Sequence, residues 1–308
     1  MAHYAGSAPV KKITLDDLRR NGDNLPQMPQ VAVQLMQLLE DPNSGAEDLA
    51  KVIRLDPKLT AQILRLCNSA SYGLRREILT VKEAVAVLGM RVLKSMVYVI
   101  LSKGVLDCSL DEYGLEKGML WRNALTGAVF SKELVNSRQV SVDAELAFTV
   151  ALLRSIGRIV LAEYVGPAYG QVLEYAETQQ VNYLEAESHI LGLDHRKAGI
   201  FIAKHWDLPK PFQAVIQYKD KPSDFPAVER QMEPEHYQLA CVVHLADMFC
   251  KLAGVGASPD DLMCSLDEEA FESLKIPLDE GMVEQLMSRL TQKISVVDEM
   301  MAAFEEDE

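Results

Sequence analysis

The chain is short of the residues that usually announce a mechanism. Its 308 residues hold five cysteines and two tryptophans, and aromatics make up 6%. Cys67, Cys108, Cys241, Cys250 and Cys264 are scattered, with no Cys-x-x-Cys pair. That removes the common zinc and dithiol spacings and leaves small thiols of the kind buried in reduced proteins. No apolar run approaches the roughly 20 residues that a membrane-spanning helix needs. The longest candidate, Met96 to Leu101, is flanked by Lys94 and Lys103. The opening MAHYAGSAPVKK lacks the basic-then-apolar order of a secretion signal. A cytoplasmic protein is therefore expected. Gly-x-Ser-x-Gly, the Walker loop and the dinucleotide glycine fingerprint are all missing. No stretch alternates apolar and polar residues as a half-buried strand would.

What is present is helical and unevenly charged. Apolar residues are 48% and charged residues 25%, the balance of a globular chain with a sizeable core. The net charge is −14. Residues 1–115 carry 14 Lys and Arg against 13 Asp and Glu, whereas residues 116–308 carry 17 against 32. The segment Lys51–Lys103 alone holds ten basic and three acidic residues. Such asymmetry divides the chain into an N-terminal helical subdomain, 1–115, and a second helical subdomain, 116–308, ending in an acidic tail. The polar stretch 107–118 marks the break. Helical periodicity predicts helices near 29–40, 81–103, 118–137, 143–164, 168–179, 183–191, 196–205, 235–253 and 280–304. Ser44 with Glu47, Thr80 with Glu83, Asn182 with Glu185, and Ser265 with Glu268 have capping-box spacing. Asp56-Pro57 places a cap before a proline that opens the helix KLTAQILRLCNSA. Five of the 13 prolines fall between Leu208 and Pro234, which reads as a loop. The stretch AFTVALLRSIGRIVLAEY, 147–164, reads as one core helix apolar nearly all round, with Arg154, Ser155 and Arg158 set into it.

Four motifs stand in a fixed order. Leu25-Pro26-Gln27-Met28-Pro29 comes first, then Ile53-Arg54-Leu55-Asp56-Pro57. Asn68-Ser69-Ala70-Ser71-Tyr72-Gly73 follows, and last Glu83-Ala84 with Leu88-Gly89. In order and spacing they resemble the HDOD family, the HD-related output domain of bacterial signalling proteins, over about 25–250. The resemblance implies an all-α, multi-helix HDOD fold in which the N-terminal subdomain packs on an HD-like one. Local physics explains part of the motif set without a ligand. Asn68 and Ser69, near a helix end, can bond free carbonyls or the next turn.

The HD resemblance also implies a metal site, and the sequence departs from it. HD phosphohydrolases hold divalent ions on several His and Asp ligands that activate water. Carried over position by position, the first His is Asn123, after Trp121. The His-Asp dyad before Ile156-Gly157 is Arg154-Ser155, and a later His pair is Lys219-Asp220. Only His195 and Asp247 are retained. Arg154 and Lys219 would bring positive charge where a cation should sit. No metal and no cofactor are expected, and no catalytic residue emerges. His189, His205 and His244 read as ordinary core-edge residues. For Arg154 two readings stay open. Either it replaces the lost metal's charge by pairing with Asp247, or it snorkels to solvent beside Arg158, its i,i+4 neighbour.

The functional expectation is a non-catalytic signalling pseudoenzyme that binds regulatory protein partners. The second reading is a sensor of an anionic small molecule such as a nucleotide. Asn123, Arg154, His195 and Lys219 would be its donors, with Arg65, Arg75, Arg76, Lys82, Arg91 and Lys94 nearby in sequence. The missing ligands argue against a residual metal-dependent phosphohydrolase. Nucleic acid fits poorly, because the basic segment holds only Tyr72 and Tyr98 and the second half is acidic.

Overall fold

The computed structural model describes residues 12–20, 34–35, 38, 44–138, 140–255 and 266–305. Among them the chain is all-α. The first half contributes α1 (Leu15–Arg20), α2 (Ala46–Arg54), α3 (Pro57–Asn68), α4 (Val81–Leu88) and α5 (Met90–Leu106). The second half starts with α6 (Met119–Arg138), α7 (Ala144–Leu152), α8 (Ile156–Val165) and α9 (Tyr169–Gln179). Then come α10 (Tyr183–Leu191), α11 (His195–His205), α12 (Lys210–Tyr218), α13 (Ala227–Met232), α14 (Pro234–Leu252), α15 (Glu268–Ser273) and α16 (Glu280–Glu305). There is no named strand among the described residues, only an isolated antiparallel bridge between Leu110 and Leu115.

Local chemistry sets most helix starts. Asp56 accepts a hydrogen bond from Leu59 N–H at 3.0 Å, with Pro57 in the first turn. Thr80 accepts from Glu83 N–H while Glu83 accepts from Leu79 N–H. Asn182 accepts from Glu185 N–H, and Asp143 accepts from Glu145 and Leu146 N–H to open α7. The Ser44 expectation fails, because the N-cap is Gly45, whose N–H donates to Asp48. Asp267 caps α15; Ser265 lies outside the described residues, as does most of 29–40.

Three expected spans are corrected. The 81–103 helix divides at Gly89, whose φ of 85° lies in a region that favours glycine. The Leu208–Pro234 zone is not a loop. It holds α12 and α13, because its prolines sit at helix starts, where their missing N–H has no intrahelical partner to lose. The 147–164 helix divides at 153–155 into α7 and α8.

The core centres on α6, buried along most of its length from Leu120 to Val135. It packs against α7 and α14, where Phe130 meets Phe249 edge to face at 5.9 Å. The first half docks through α5. Ser95 donates to Glu145 at 2.6 Å, Arg91 pairs with Asp143 at 2.7 Å, and Tyr98 packs on Phe212. The long α16 lies across both halves. Ser71 donates to Val296 O and Glu299, Arg122 pairs with Asp298, and Trp121 meets Phe304 edge to face.

Candidate functional site: a caged guanidinium under a charged cavity

The division at 153–155 turns Arg154 inward. In an unbroken helix the Ala151 carbonyl would accept from Ser155 N–H. Here it accepts instead from Arg154, from the backbone N–H at 3.4 Å and from Nη1 at 3.0 Å. Arg154 is only 2% exposed, and all five of its N–H donors are used. Nε donates to Asp247 Oδ1 at 2.7 Å. Nη1 also donates to Ala124 O at 3.2 Å, and Nη2 donates to Asn123 O at 3.0 Å and to Asn123 Oδ1. Asn123 itself donates to Val255 O at 2.7 Å. Gly127 supplies the room, since a Cβ there would lie 2.7 Å from Cζ and both Nη atoms. The snorkelling reading is therefore corrected. The turn aims Arg154 at α6 and α14, and Arg158 is itself buried, over the Tyr113 ring.

Around this pair the charges interlock. Lys251, one helical turn from Asp247, approaches Asp247 Oδ2 at 3.1 Å. Lys219 Nζ lies 2.6 Å from Asp220 Oδ1 and 3.8 Å from Asp247 Oδ2. Burial alone would raise the Asp247 carboxyl, but Lys251, Lys219 and Arg154 hold it well below the usual carboxylate range. Asp220 is likewise held low against burial, by Lys219 and His195. The His195 ring donates from Nδ1 to Glu187 Oε2 at 2.7 Å, and its backbone N–H donates to the same oxygen at 2.9 Å. Burial pushes the His195 imidazole down, but Glu187 and Asp220 outweigh it and bring it up to about 9. His195 is thus an imidazolium at neutral pH. His244 is the opposite case: burial lowers it, Nδ1 donates to Lys219 O, and Nε2 accepts from Asp267 N–H. Gly157 and Gly199 let α8 cross α11 closely, since a Cβ on Gly157 would lie 1.8 Å from His195 O.

Above the pair opens a cavity of about 120 Å³. His195, Lys219 and Asp247 line it; Asn123, Arg154 and Ser155 do not. Asn123 and Arg154 lie beneath it, while Ser155 is the residue before α8 and caps nothing with its side chain. Sequence reasoning did not single out Glu187, Lys251 or Gly127. Two of these had a signal. Lys251 stands at i+4 from Asp247, and Glu187 falls on the buried stripe Tyr183, Ala186, Leu191 of α10. Gly127 had none.

The HD resemblance implies a divalent metal here, and these residues do not fit one. One oxygen of Asp247 is committed to a guanidinium and the other faces two ammonium groups. A cation added there would meet like charge. Among the described residues no cluster of three or more His, Cys, Asp or Glu could hold a metal ion.

The architecture recurs in solved structures. An HDOD domain protein of unknown function from Geobacter sulfurreducens superposes with a TM-score of 0.71 at 20% identity, over 93% of this chain and 97% of that one. A protein of Shewanella amazonensis SB2B, provisionally named a phosphohydrolase, gives 0.65 at 23% identity, over 93% and 97%. One of Marinobacter aquaeolei VT8, provisionally named a signal transduction protein, gives 0.70 at 20%, over 98% of this chain and 63% of that one. These identities establish the fold. In sequence, an uncharacterized protein of Treponema pallidum (strain Nichols) is 24% identical over 196 residues. That match covers 64% of this chain and 37% of the relative's length, so the chain spans little more than a third of it. The HDOD domain profile matches residues 25–222, and the chain belongs to the HDOD family.

Proposed function

We propose that this HDOD protein is a non-catalytic module of bacterial signal transduction, working in the cytoplasm by binding a regulatory partner or ligand. Its two working halves are the subdomains 1–115 and 116–308. The observation that carries the reading is Arg154. Its guanidinium stands in the HD-dyad position, is saturated by five hydrogen bonds, and neutralises the one retained Asp. A water-activating metal has no donor set left to it there. The provisional name of the Marinobacter protein agrees with a signalling role. Among the described residues no helix is long and apolar enough to cross a membrane.

The test is turnover. The full chain is incubated with Mn²⁺ or Mg²⁺ and p-nitrophenyl phosphate, bis-p-nitrophenyl phosphate and nucleoside phosphates. The expected result is no release above the metal-only blank. Sustained turnover that Asp247→Ala abolishes would overturn the reading.

A further inference from the structure

Two exposed apolar features of this chain complement one another, and they lie in parts of opposite charge. The first is on α13, none of whose residues is buried. Arg230 fastens this short helix to the body. It donates to the carbonyls of Phe225, Pro222 and Ser223, pairs with Glu269 at 2.8 Å and lies over the Tyr237 ring. With that side fixed inward, Val228 and Met232 stand 69% and 76% exposed, one helical turn apart. Glu229 and Glu235 flank them, exposed and in no ion pair among the described residues. The second feature is a groove of about 500 Å³ between the loop before α4 and the end of α16. Leu64, Ile78 and Leu79 line one side, Ala302 and Ala303 the other, and Leu79 is 68% exposed. Arg75 and Lys82 flank Leu79 in the chain, both exposed and in no ion pair among the described residues. Arg76 is taken by Glu83 at 3.0 Å, and Glu299 accepts from Ser71. Arg75 and Lys82 against Glu77 leave the rim positive.

We propose that a second copy of this chain covers each feature. Val228 and Met232 of one copy seat in the groove beside Leu79 of the next, with Glu229 and Glu235 facing Arg75 and Lys82. Both apolar surfaces leave water together, which favours the contact. Charge decides the arrangement. Two chains of net charge −14 repel, and a contact of the acidic half with itself would repel most, since 116–308 carries 17 Lys and Arg against 32 Asp and Glu. A contact between unlike surfaces instead brings the acidic half onto the segment Lys51–Lys103, with its ten basic and three acidic residues. Copies joined in this way add head to tail until a ring closes. Two side chains in one groove make a small interface, so the association is weak and concentration-dependent. It holds whether or not the chain turns over a substrate.

The experiment is sedimentation velocity of the full chain from about 5 to about 500 µM, in about 0.05 M and about 1 M NaCl. The parent should pass from monomer to larger species as its concentration rises, and less so at high salt, where the facing charges are screened. Val228→Glu/Met232→Glu removes one surface and Leu79→Glu/Lys82→Glu the other. All four positions are exposed, so both variants should melt like the parent. Each alone should associate about tenfold more weakly, or worse. Mixed in equal amounts they should form a one-to-one dimer, because each supplies the surface that the other lacks. A parent that stays monomeric at about 500 µM overturns the proposal. So does association that either variant keeps at parental strength, or a mixture that stays monomeric. Association unchanged by about 1 M NaCl overturns the facing of Glu229 and Glu235 on Arg75 and Lys82.

Discussion

Replacing Arg154 by Met removes one partner of a buried ion pair and keeps most of the side-chain volume. Asp247 Oδ1 and Asn123 Oδ1 lose their Arg154 donor, while the carbonyls of Ala124, Ala151 and Asn123 lose a second donor and keep a backbone N–H. Breaking a buried pair from one side costs about 3–5 kcal/mol. The three carbonyls keep backbone partners and add little to this. Lys251 and Lys219 remain near Asp247 and offset part of this, so the expected loss is about 4 kcal/mol. Arg154→Lys keeps the charge but puts three donors on a compact head that cannot serve five acceptors spread around a planar fork. It should lose at least about 2 kcal/mol. Arg154→Met/Asp247→Leu removes both charges and should cost less than the two single losses together, because an apolar pair often replaces a buried ion pair at little cost. The assay is urea unfolding followed by circular dichroism at 222 nm, with the slope checked for constancy. If Arg154→Met costs under about 1 kcal/mol, the level of an exposed ion pair, the cage has been misread.

Further outcomes follow from close contacts and titrating groups. Gly157→Ala should cost about 3 kcal/mol, because its Cβ would lie 1.8 Å from His195 O and force α8 off α11. Gly104→Ala, on α5 with open space around it, should instead be neutral or stabilise by up to about 1 kcal/mol, and thermal melts of the two report the contrast. Asn68 holds the loop before α4 by donating to Ile78 O at 2.8 Å and accepting from Ile78 N–H at 2.7 Å. Asn68→Ala should lower stability by about 1–2 kcal/mol in urea titrations, with Asn68→Asp intermediate because it keeps only the acceptor. His195 is raised in the folded state to about 9 from 6.5. Its contribution is therefore complete below pH 6.5 and is lost as the pH rises through 9. The urea midpoint of the parent should fall across that window more steeply than that of His195→Gln, and parallel curves would contradict the assignment.

Much of the helical frame was legible in the chain, since long amphipathic runs with polar caps leave little choice of structure. The 118–137 and 280–304 spans stand within a residue of α6 and α16. The proline-rich zone misled because proline stops a helix from within but opens one well, and Pro209 and Pro226 both stand at openings. The division at 153–155 carries neither glycine nor proline. There the backbone tightens to three-residue turns, Arg154 N–H to Ala151 O and Ile156 N–H to Leu153 O, and the Arg154 guanidinium adds a bond to the same Ala151 carbonyl. Of the candidate positions, Arg154, Asn123 and Asp247 form one hydrogen-bonded unit, with Lys219 beside Asp247. Glu187 was partly legible as a carboxylate on an apolar stripe. Gly127 was not, because a glycine inside a helix does not say which neighbour needs its missing methyl group.

The cage around Arg154 also bears on how this branch could change over generations. A histidine at position 154 would take from Asp247 Oδ1 and Asn123 Oδ1 the donors that Arg154 now supplies. An α6 residue larger than Gly127 would collide with the arginine while it remains. A His-Asp dyad at 154–155 would thus have to displace the Arg154 contacts to α6 and α14 before it could hold a metal. With α6, the 153–155 turn and Asp247 all fitted to the guanidinium, substitutions that keep the arginine and change the cavity above it disturb fewer contacts than those that replace it.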